Sequence, residues 1–324
     1  MWLCLVLQEM DLTTVFFATD IHGSDICWRK FLNAGKFYQA EVMVLGGDMT
    51  GKAIVPILDH GNGRYTATLL QQPFELEGQQ ELADMSGKIR NRGYYPYVTT
   101  KDEIAELEKE PDKVYQLFIQ QALRVVEEWM DLASKKLAGT GQRIFVSPGN
   151  DDRFEVDDIL RACPSVILAE GEVLYIDKKH EMITSGWSNR TPWNTYREED
   201  EDGLAVRYEK MTSRIKDPAN AIFNIHVPPY ASNLDEAPEL DEQLRPKNAG
   251  NALKPTGSTA LRSAIEKHNP LLSLHGHIHE GRGTSKIGKT LCINPGSMYE
   301  QGTLLGTLVK LGDKKIDSYV LTSG

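Results

Sequence analysis

The 324-residue chain predicts an α/β fold built on a parallel sheet. Three observations carry that reading. Short β-branched or aromatic runs recur along the chain, and several end at Asp, Asn or His. A stretch with helical spacing of apolar residues separates the first two runs. The resulting order of strand, loop, helix and strand lines up the polar strand ends on one carboxyl edge, where open α/β sheets hold their sites.

Residues 13–19 (TTVFFAT) read as a buried strand that delivers Asp20-Ile21-His22 at its end. Residues 25–38 follow as a helix with Trp28, Phe31 and Leu32 on one face. Residues 42–45 form the second strand and end at Gly46-Gly47-Asp48. The stretch 52–142 departs from this rhythm. Residues 54–58 and 65–70 look like strands joined by a hairpin at His60-Gly61-Asn62-Gly63. A polar helix covers 77–92, and Tyr94, Tyr95 and Tyr97 then cluster around Pro96. Thr100 and Glu103 form a capping box, and Pro111 opens a second helix. Its stripe from Val114 to Leu137 has the spacing of ordinary helix packing.

The core rhythm resumes at 143–147, a strand ending at Pro148-Gly149-Asn150. Residues 166–168, 173–176 and 182–185 are further short strands. Residues 221–225 form a strand ending at His226, 258–268 a helix, and 271–274 a strand ending at His275-Gly276-His277-Ile278-His279. Residues 291–293, 306–311 and 314–321 close the chain as antiparallel strands. The acidic run 198–202 reads as a solvated loop or a helix N-terminus.

Composition narrows the class. With 40% hydrophobic and 25% charged residues, the chain suits a soluble globular protein with a substantial core. A net charge of -10 argues against nucleic acid, whose backbone is held mainly by Lys and Arg. The four cysteines are scattered without a CxxC pair, which suits free buried thiols in a reducing compartment. The apolar run 2–7 is too short for a membrane span or a signal peptide, so the expectation is a cytoplasmic protein with no membrane association.

Seven side chains at these strand ends can ligate metal: Asp20, His22, Asp48, Asn150, His226, His277 and His279. Carboxylate oxygen and imidazole nitrogen suit divalent Mn, Fe, Zn, Ni or Co, with Mn favoured here. Asp48 is the natural bridging ligand, and Asn150 adds a neutral oxygen. Each fragment alone is a weak signal; their conjunction, in order and at strand ends, carries the weight. His60, His180, His268 and His275 are read as structural or surface residues.

The blocks Asp-X-His, Gly-Asp, Gly-Asn, His and Gly-His-X-His resemble the signature of the calcineurin-like metallophosphoesterase superfamily, in the flavour of the Icc-like phosphoesterases. The match runs from Asp20 to His279 and includes Ile225-His226-Val227-Pro228-Pro229, and Asn294-Pro295-Gly296-Ser297 resembles a loop that follows the last block in several members. The resemblance implies a four-layer αββα sandwich of two mixed sheets, forming a single metallophosphoesterase domain over 1–324. It also implies two divalent ions, one on Asp20, His22, Asp48 and His279 and the other on Asp48, Asn150, His226 and His277. The implied activity is hydrolysis of a small phosphodiester or phosphomonoester by metal-activated water. A nuclease, a non-catalytic scaffold on the same fold and a single-metal hydrolase are the rival readings.

Two departures from the family pattern stand out. Asp48 and Asn150 lie 102 positions apart, and the inserted helical and hairpin segment 52–142 reads as a cap, an oligomer contact such as a homodimer surface, or ornament. Many members also have His directly after the Gly-Asn asparagine, where this chain has Asp151 and then Asp152. An ionised aspartate is a poor proton donor at neutral pH, so the expected substrates have leaving groups that need little protonation. Asp151 or Asp152 could otherwise orient a ligand or pair with Arg153. Arg190, in the loop between Trp187 and Trp193, is a candidate for gripping a phosphate oxygen, against a purely structural loop.

Overall fold

The computed structural model describes residues 12–324; the apolar run 2–7 and Cys4 lie outside the described residues. The chain opens with β1 (Thr13–Ala18), α1 (Asp25–Phe37) and β2 (Val42–Gly46). Then come β3 (Ala53–Asp59), β4 (Arg64–Leu69), β5 (Gln72–Glu77), α2 (Gly78–Arg90), β6 (Tyr94–Thr99) and α3 (Lys101–Leu107). Next are α4 (Pro111–Leu137), β7 (Arg143–Ser147), α5 (Glu155–Ala162), β8 (Ile167–Leu168), β9 (Val173–Tyr175) and β10 (Glu181–Ser185). They are followed by β11 (Ser188–Asn189), β12 (Glu198–Glu199), α6 (Glu201–Thr212), β13 (Ile222–Ile225), β14 (Glu236–Pro238) and β15 (Leu253–Pro255). The chain closes with α7 (Thr259–His268), β16 (Leu272–Leu274), β17 (Gly283–Ile287), β18 (Thr290–Asn294), β19 (Leu305–Gly312) and β20 (Lys315–Ser323).

Two six-stranded mixed sheets form the centre. The first has the order β20-β19-β1-β2-β7-β8, and the second β17-β18-β16-β13-β10-β9. The inner strands of each sheet run parallel. The two-residue side-chain period of a strand explains how they pack. Val15 and Phe17 of β1 join Val44, Phe145, Ile222, Leu274 and Ile293 in a core between the sheets. Phe16 and Ala18 point the other way, into a core shared with α1, α4 and α5. On the far side Ile183, Phe223 and Ile225 pack with Leu204, Tyr208, Leu261 and Ile265 of α6 and α7. The result is a four-layer αββα sandwich.

The segment between β2 and β7 divides into two parts. β3 to β6 form a four-stranded sheet of order β5-β4-β3-β6, with α2 packed on a small core of its own around Ile57, Met85 and Ile89. The hairpin at 60–63 is present, with Asn62 at φ 54°. Strands 72–77 and 94–99 were not foreseen from the sequence. Both are edge strands, and each tolerates a proline (Pro73 and Pro96) for that reason. α4 instead leaves this sheet and packs in the main sandwich beside α1.

Two tryptophans tie α4 to α1. The rings of Trp28 and Trp129 stack at 5.2 Å, and both are buried. Trp129 Nε1 donates to Asp25 Oδ1 at 2.6 Å, and Trp28 Nε1 donates to the Trp129 carbonyl at 3.2 Å. Arg90 at the end of α2 reaches Asp25 at 2.7 Å and Glu128 at 2.6 Å, which fastens the inserted sheet to the sandwich. Thr100 caps α3 through the Glu103 amide, but the Glu103 carboxylate turns to Tyr97 and Thr99, so only half of the capping box forms as expected. Cys27, Cys163 and Cys292 are buried and unpaired. Among the described residues no helix is long and apolar enough to cross a membrane.

Truncating a buried aromatic leaves a cavity and here also removes the Trp129 Nε1 hydrogen bond to Asp25. Trp129→Ala should therefore destabilise the fold by about 3–5 kcal/mol, read as a lower midpoint in urea unfolding. Trp129→Phe should retain the greater part of that loss.

Candidate metal centre

All seven predicted ligands gather at one edge of the sandwich. Asp20 and His22 lie in the loop after β1, Asp48 after β2 and Asn150 after β7. His226 follows β13 directly, and His277 and His279 lie in the loop after β16. Each sheet thus contributes to the site from the carboxyl ends of parallel strands. Backbone bonds lace the loops together: Asp20 N to the Gly47 carbonyl at 3.0 Å, His22 N to the Asp48 carbonyl at 3.0 Å, and Gly276 N to the His226 carbonyl at 2.8 Å.

The chain bends sharply to bring these side chains inward. Asp20, His22, Asp48 and His277 have φ of 52°, 36°, 51° and 66°, a region that non-glycine residues seldom occupy and that marks functional strain. The neighbouring glycines have a steric reason. A Cβ at Gly149 would overlap Asp48 Oδ1, and one at Gly276 would overlap Asp20 Oδ2. The Gly-Asn and Gly-His pairs are therefore set by how closely the loops approach the carboxylates.

Two ligand groups share one carboxylate. Ligand atoms of Asp20, His22 and His279 lie within 4.8 Å of one another, as do those of Asp48, His226 and His277. Asp48 Oδ2 stands 3.6 Å from His22 Nε2 and 3.4 Å from His226 Nε2, between the two groups. A third cluster, His22, Asp48 and Asp151, adds a residue outside the seven. Asn150 Oδ1 lies 2.8 Å from His277 Nδ1.

The protonation pattern follows from this crowding. Burial opposes charging His226, but the Asp48 and Asp20 carboxylates overcome it and push its pKa up to about 10. Burial would raise the Asp20 pKa, yet His226 and the neighbouring His279 and His22 hold it well below the usual carboxylate range. His277 is pushed down to about 4, first by burial and then by His226. Burial and the facing Asp48 push Asp151 up, while Lys52 pulls it back.

Several atoms suit a cation. His226 Nδ1 is engaged with the Gly46 carbonyl at 2.9 Å, while its buried Nε2 has no hydrogen-bond partner and faces the centre. His22 Nε2 and His279 Nε2 stand 3.0 Å apart, the spacing of adjacent ligands about 2.1 Å from one ion. The donor set of oxygen and imidazole nitrogen fits divalent transition ions. The residues present therefore fit two ions sharing Asp48.

The residues around the ligands correct parts of the sequence reading. Asp152 is fully buried and its carboxylate is saturated: it accepts from the amides of Met49, Thr50 and Gly149 and from the Thr50 hydroxyl, at 2.7–2.9 Å. It braces the Asp48 loop against the Asn150 loop, and both of its oxygens are engaged by these donors. Neither aspartate pairs with Arg153, which binds Glu155 at 2.7 Å and stacks on Tyr115 and Tyr196. Asp151 meets Lys52 Nζ at 3.3 Å. Lys52 was not foreseen, because a lone lysine just past a ligand block has no motif to mark it. Arg190 is exposed and pairs with Asp200 at 3.1 Å at the rim of the same cleft. The acidic run splits as well: Asp200 stands at the N-cap position of α6 with its carboxylate on Arg190, whereas Glu198 is buried and accepts from Thr191 and Thr195. Thr195 Oγ1 in turn accepts from Asn150 Nδ2 at 2.8 Å, which fixes which face of that amide looks inward.

The centre opens into a cleft of about 930 Å³. Its walls come from residues 189–193 and 237–256; from the segment 52–142 only Lys52 lines it among the described residues.

Two measurements test this geometry. Asp152→Asn would turn an amide N–H toward buried donors, so it should cost about 2 kcal/mol or more in unfolding experiments and weaken metal binding without touching a ligand. In the metal-free protein His226 carries its proton at neutral pH, because its pKa is raised to about 10. Coordination requires the free imidazole, so loading at pH 7 should release at least one proton and affinity should fall as the pH is lowered. Calorimetry in buffers of different ionisation heat reads this directly; loading without proton release would show His226 already neutral in the metal-free protein.

No family model matches the chain. An uncharacterized protein of Methanocaldococcus jannaschii, MJ1162, is 30% identical over 183 residues, spanning 54% of this chain and 71% of that one. The crystal structure of TT1561 of Thermus thermophilus superimposes with a TM-score of 0.53, covering 97% of this chain and 98% of that one at 12% identity. A further crystal structure gives a TM-score of 0.54 at 15% identity, covering 96% of this chain and 98% of its own. These two structures share the fold. The chain therefore has the fold of these structures, and its ligand blocks, in the order of the metallophosphoesterase signature that they resemble, meet at one sheet edge.

Proposed function

We propose that this protein is a dimetal phosphoesterase that hydrolyses a small phosphodiester or phosphomonoester. The observation that carries the reading is Asp48 Oδ2, set between two buried histidine and aspartate groups that it can serve together. Asp20, His22, Asp48 and His279 would hold one divalent ion, and Asp48, Asn150, His226 and His277 the other, with Mn²⁺ the favoured metal. Such a pair, when bound, supplies Lewis acidity and a water of lowered pKa for attack on phosphorus.

The chain's own residues supply positioning and charge. The burial of Asp20, His22, Asp48 and His226 keeps bulk water from the inner side of the site, which strengthens every charge interaction there. Asn150 is held by Thr195, so its orientation survives the arrival of an anionic substrate. Lys52, beside Asp151 at the mouth of the site, offers an ammonium group to a phosphoryl oxygen. Asp151 stands where many relatives have a histidine, and its charge is matched by Lys52. This favours esters whose leaving group needs little protonation, such as aryl or nucleotide phosphates. The net charge of -10 weighs against a nuclease, which needs a basic stripe for a polyanionic backbone.

The test uses metal-stripped protein reloaded with Mn²⁺, assayed on a bis-aryl phosphodiester and the matching aryl monoester. Turnover of at least one is expected, falling by about 100-fold or more in His226→Ala and in Asp48→Asn. No turnover of either ester with two ions bound per chain would sink the reading. Equal rates for an aryl ester and a simple alkyl ester would remove the argument about leaving groups.

A further inference from the structure

We propose that the cleft selects phosphate esters carrying a flat aromatic group and that Trp193 receives that group. The inference rests on the phosphoesterase reading above and adds a substrate class to it. The described tryptophans differ sharply in exposure. Trp28 and Trp129 are buried in the core, and Trp187 lies under the Arg207 guanidinium at 4.0 Å. Trp193 is 65% exposed at the side of the cleft. An indole left in water forgoes the largest burial any side chain can offer, so a fixed and exposed one is informative.

Trp193 is fixed because its loop is tied down on both sides. The Glu198 carboxylate accepts from the amides and hydroxyls of Thr191 and Thr195, at 2.6–3.0 Å. Trp193 N donates to Thr191 Oγ1 at 3.2 Å. The amides of Tyr196 and Arg197 both donate to the Asn150 carbonyl, at 3.1 and 3.3 Å. Arg197, itself buried, clamps the Asp152 and Arg153 carbonyls and Asp157. The loop that carries the indole is thus braced on Asn150 itself.

The rest of the cleft has matching polarity. Lys52, His277 and His279 line it beside the metal centre, groups suited to an anion, and Pro238, Leu240 and Leu244 add apolar surface to the same cleft as Trp193. Asp241, Lys254 and Glu280 add charged groups to the lining. A volume of about 930 Å³ falls within the range of small-molecule sites. A phosphate at the centre with a ring stacked on Trp193 uses both kinds of lining together.

The experiment is calorimetric titration of the Mn²⁺-loaded full chain with phenylphosphonate and methylphosphonate, beside hydrolysis of an aryl ester. A stacked ring should make phenylphosphonate bind about 3–10-fold more tightly than methylphosphonate. Trp193→Ala should erase that preference, and Trp193→Phe should keep most of it. A preference that survives in Trp193→Ala, or that is absent in the unsubstituted protein, would overturn the assignment. The two readings fail separately: hydrolysis without a phenyl preference removes the Trp193 assignment alone, while a Trp193-dependent preference without hydrolysis removes the phosphoesterase reading alone.

Discussion

The structure turns on a single oxygen. Asp48 Oδ2 lies between His22 and His226, and therefore between ligands offered by two different sheets. Holding it there places a carboxylate among buried groups, which is unfavourable unless positive charge faces it. The surrounding features serve that placement. The left-handed turn at Asp48 aims the side chain inward, the missing Cβ at Gly149 makes room for it, and the Asp151 amide donates to its other oxygen at 3.1 Å. Asp152, one residue further on, fixes the two loops that make this possible.

The ligand set was legible because it is written as chemistry at strand ends. Each block needs a strand to aim it, a turn to release it and a donor atom, and these leave a local mark. The two sheets were legible for a related reason: alternation in β1 divides its residues between two cores, as in TTVFFAT. The stripe of α4 likewise found its partner on α1. What could not be read was defined by its neighbours in space. Asp152 and Asp151 are adjacent and chemically identical, yet one is saturated by amides and the other faces Lys52 across the mouth of the site. Glu198 belonged to a run of acids that looked uniformly solvated until Thr191 and Thr195 closed around it. Strands β5 and β6 carry prolines that look like breaks in the sequence, and both strands lie at the sheet edge.

The long interval between Asp48 and Asn150 also has a physical logic. A crossover between the parallel neighbours β2 and β7 requires a helix on the sheet face, and α4 supplies it. The extra material is β3 to α3, placed before that helix, with a separate small core and an Arg90 tether to Asp25 and Glu128. Because the addition precedes the crossover helix, the sandwich keeps its packing while the chain gains Lys52 at the mouth of the cleft.

The ligands come from opposite ends of the chain as well as from opposite sheets. His277 N donates to Asp20 across 257 positions of sequence, and His22 faces His279 across the same interval. An ion held by Asp20, His22 and His279 would close a loop of nearly the whole described chain. It would act on the unfolded ensemble as a removable cross-link does, by subtracting conformational freedom in proportion to the logarithm of the loop length. The same ions that would serve chemistry would then work as a clasp between the two sheets, and demetallation would loosen the open edge of the sandwich before it loosened the cores behind it.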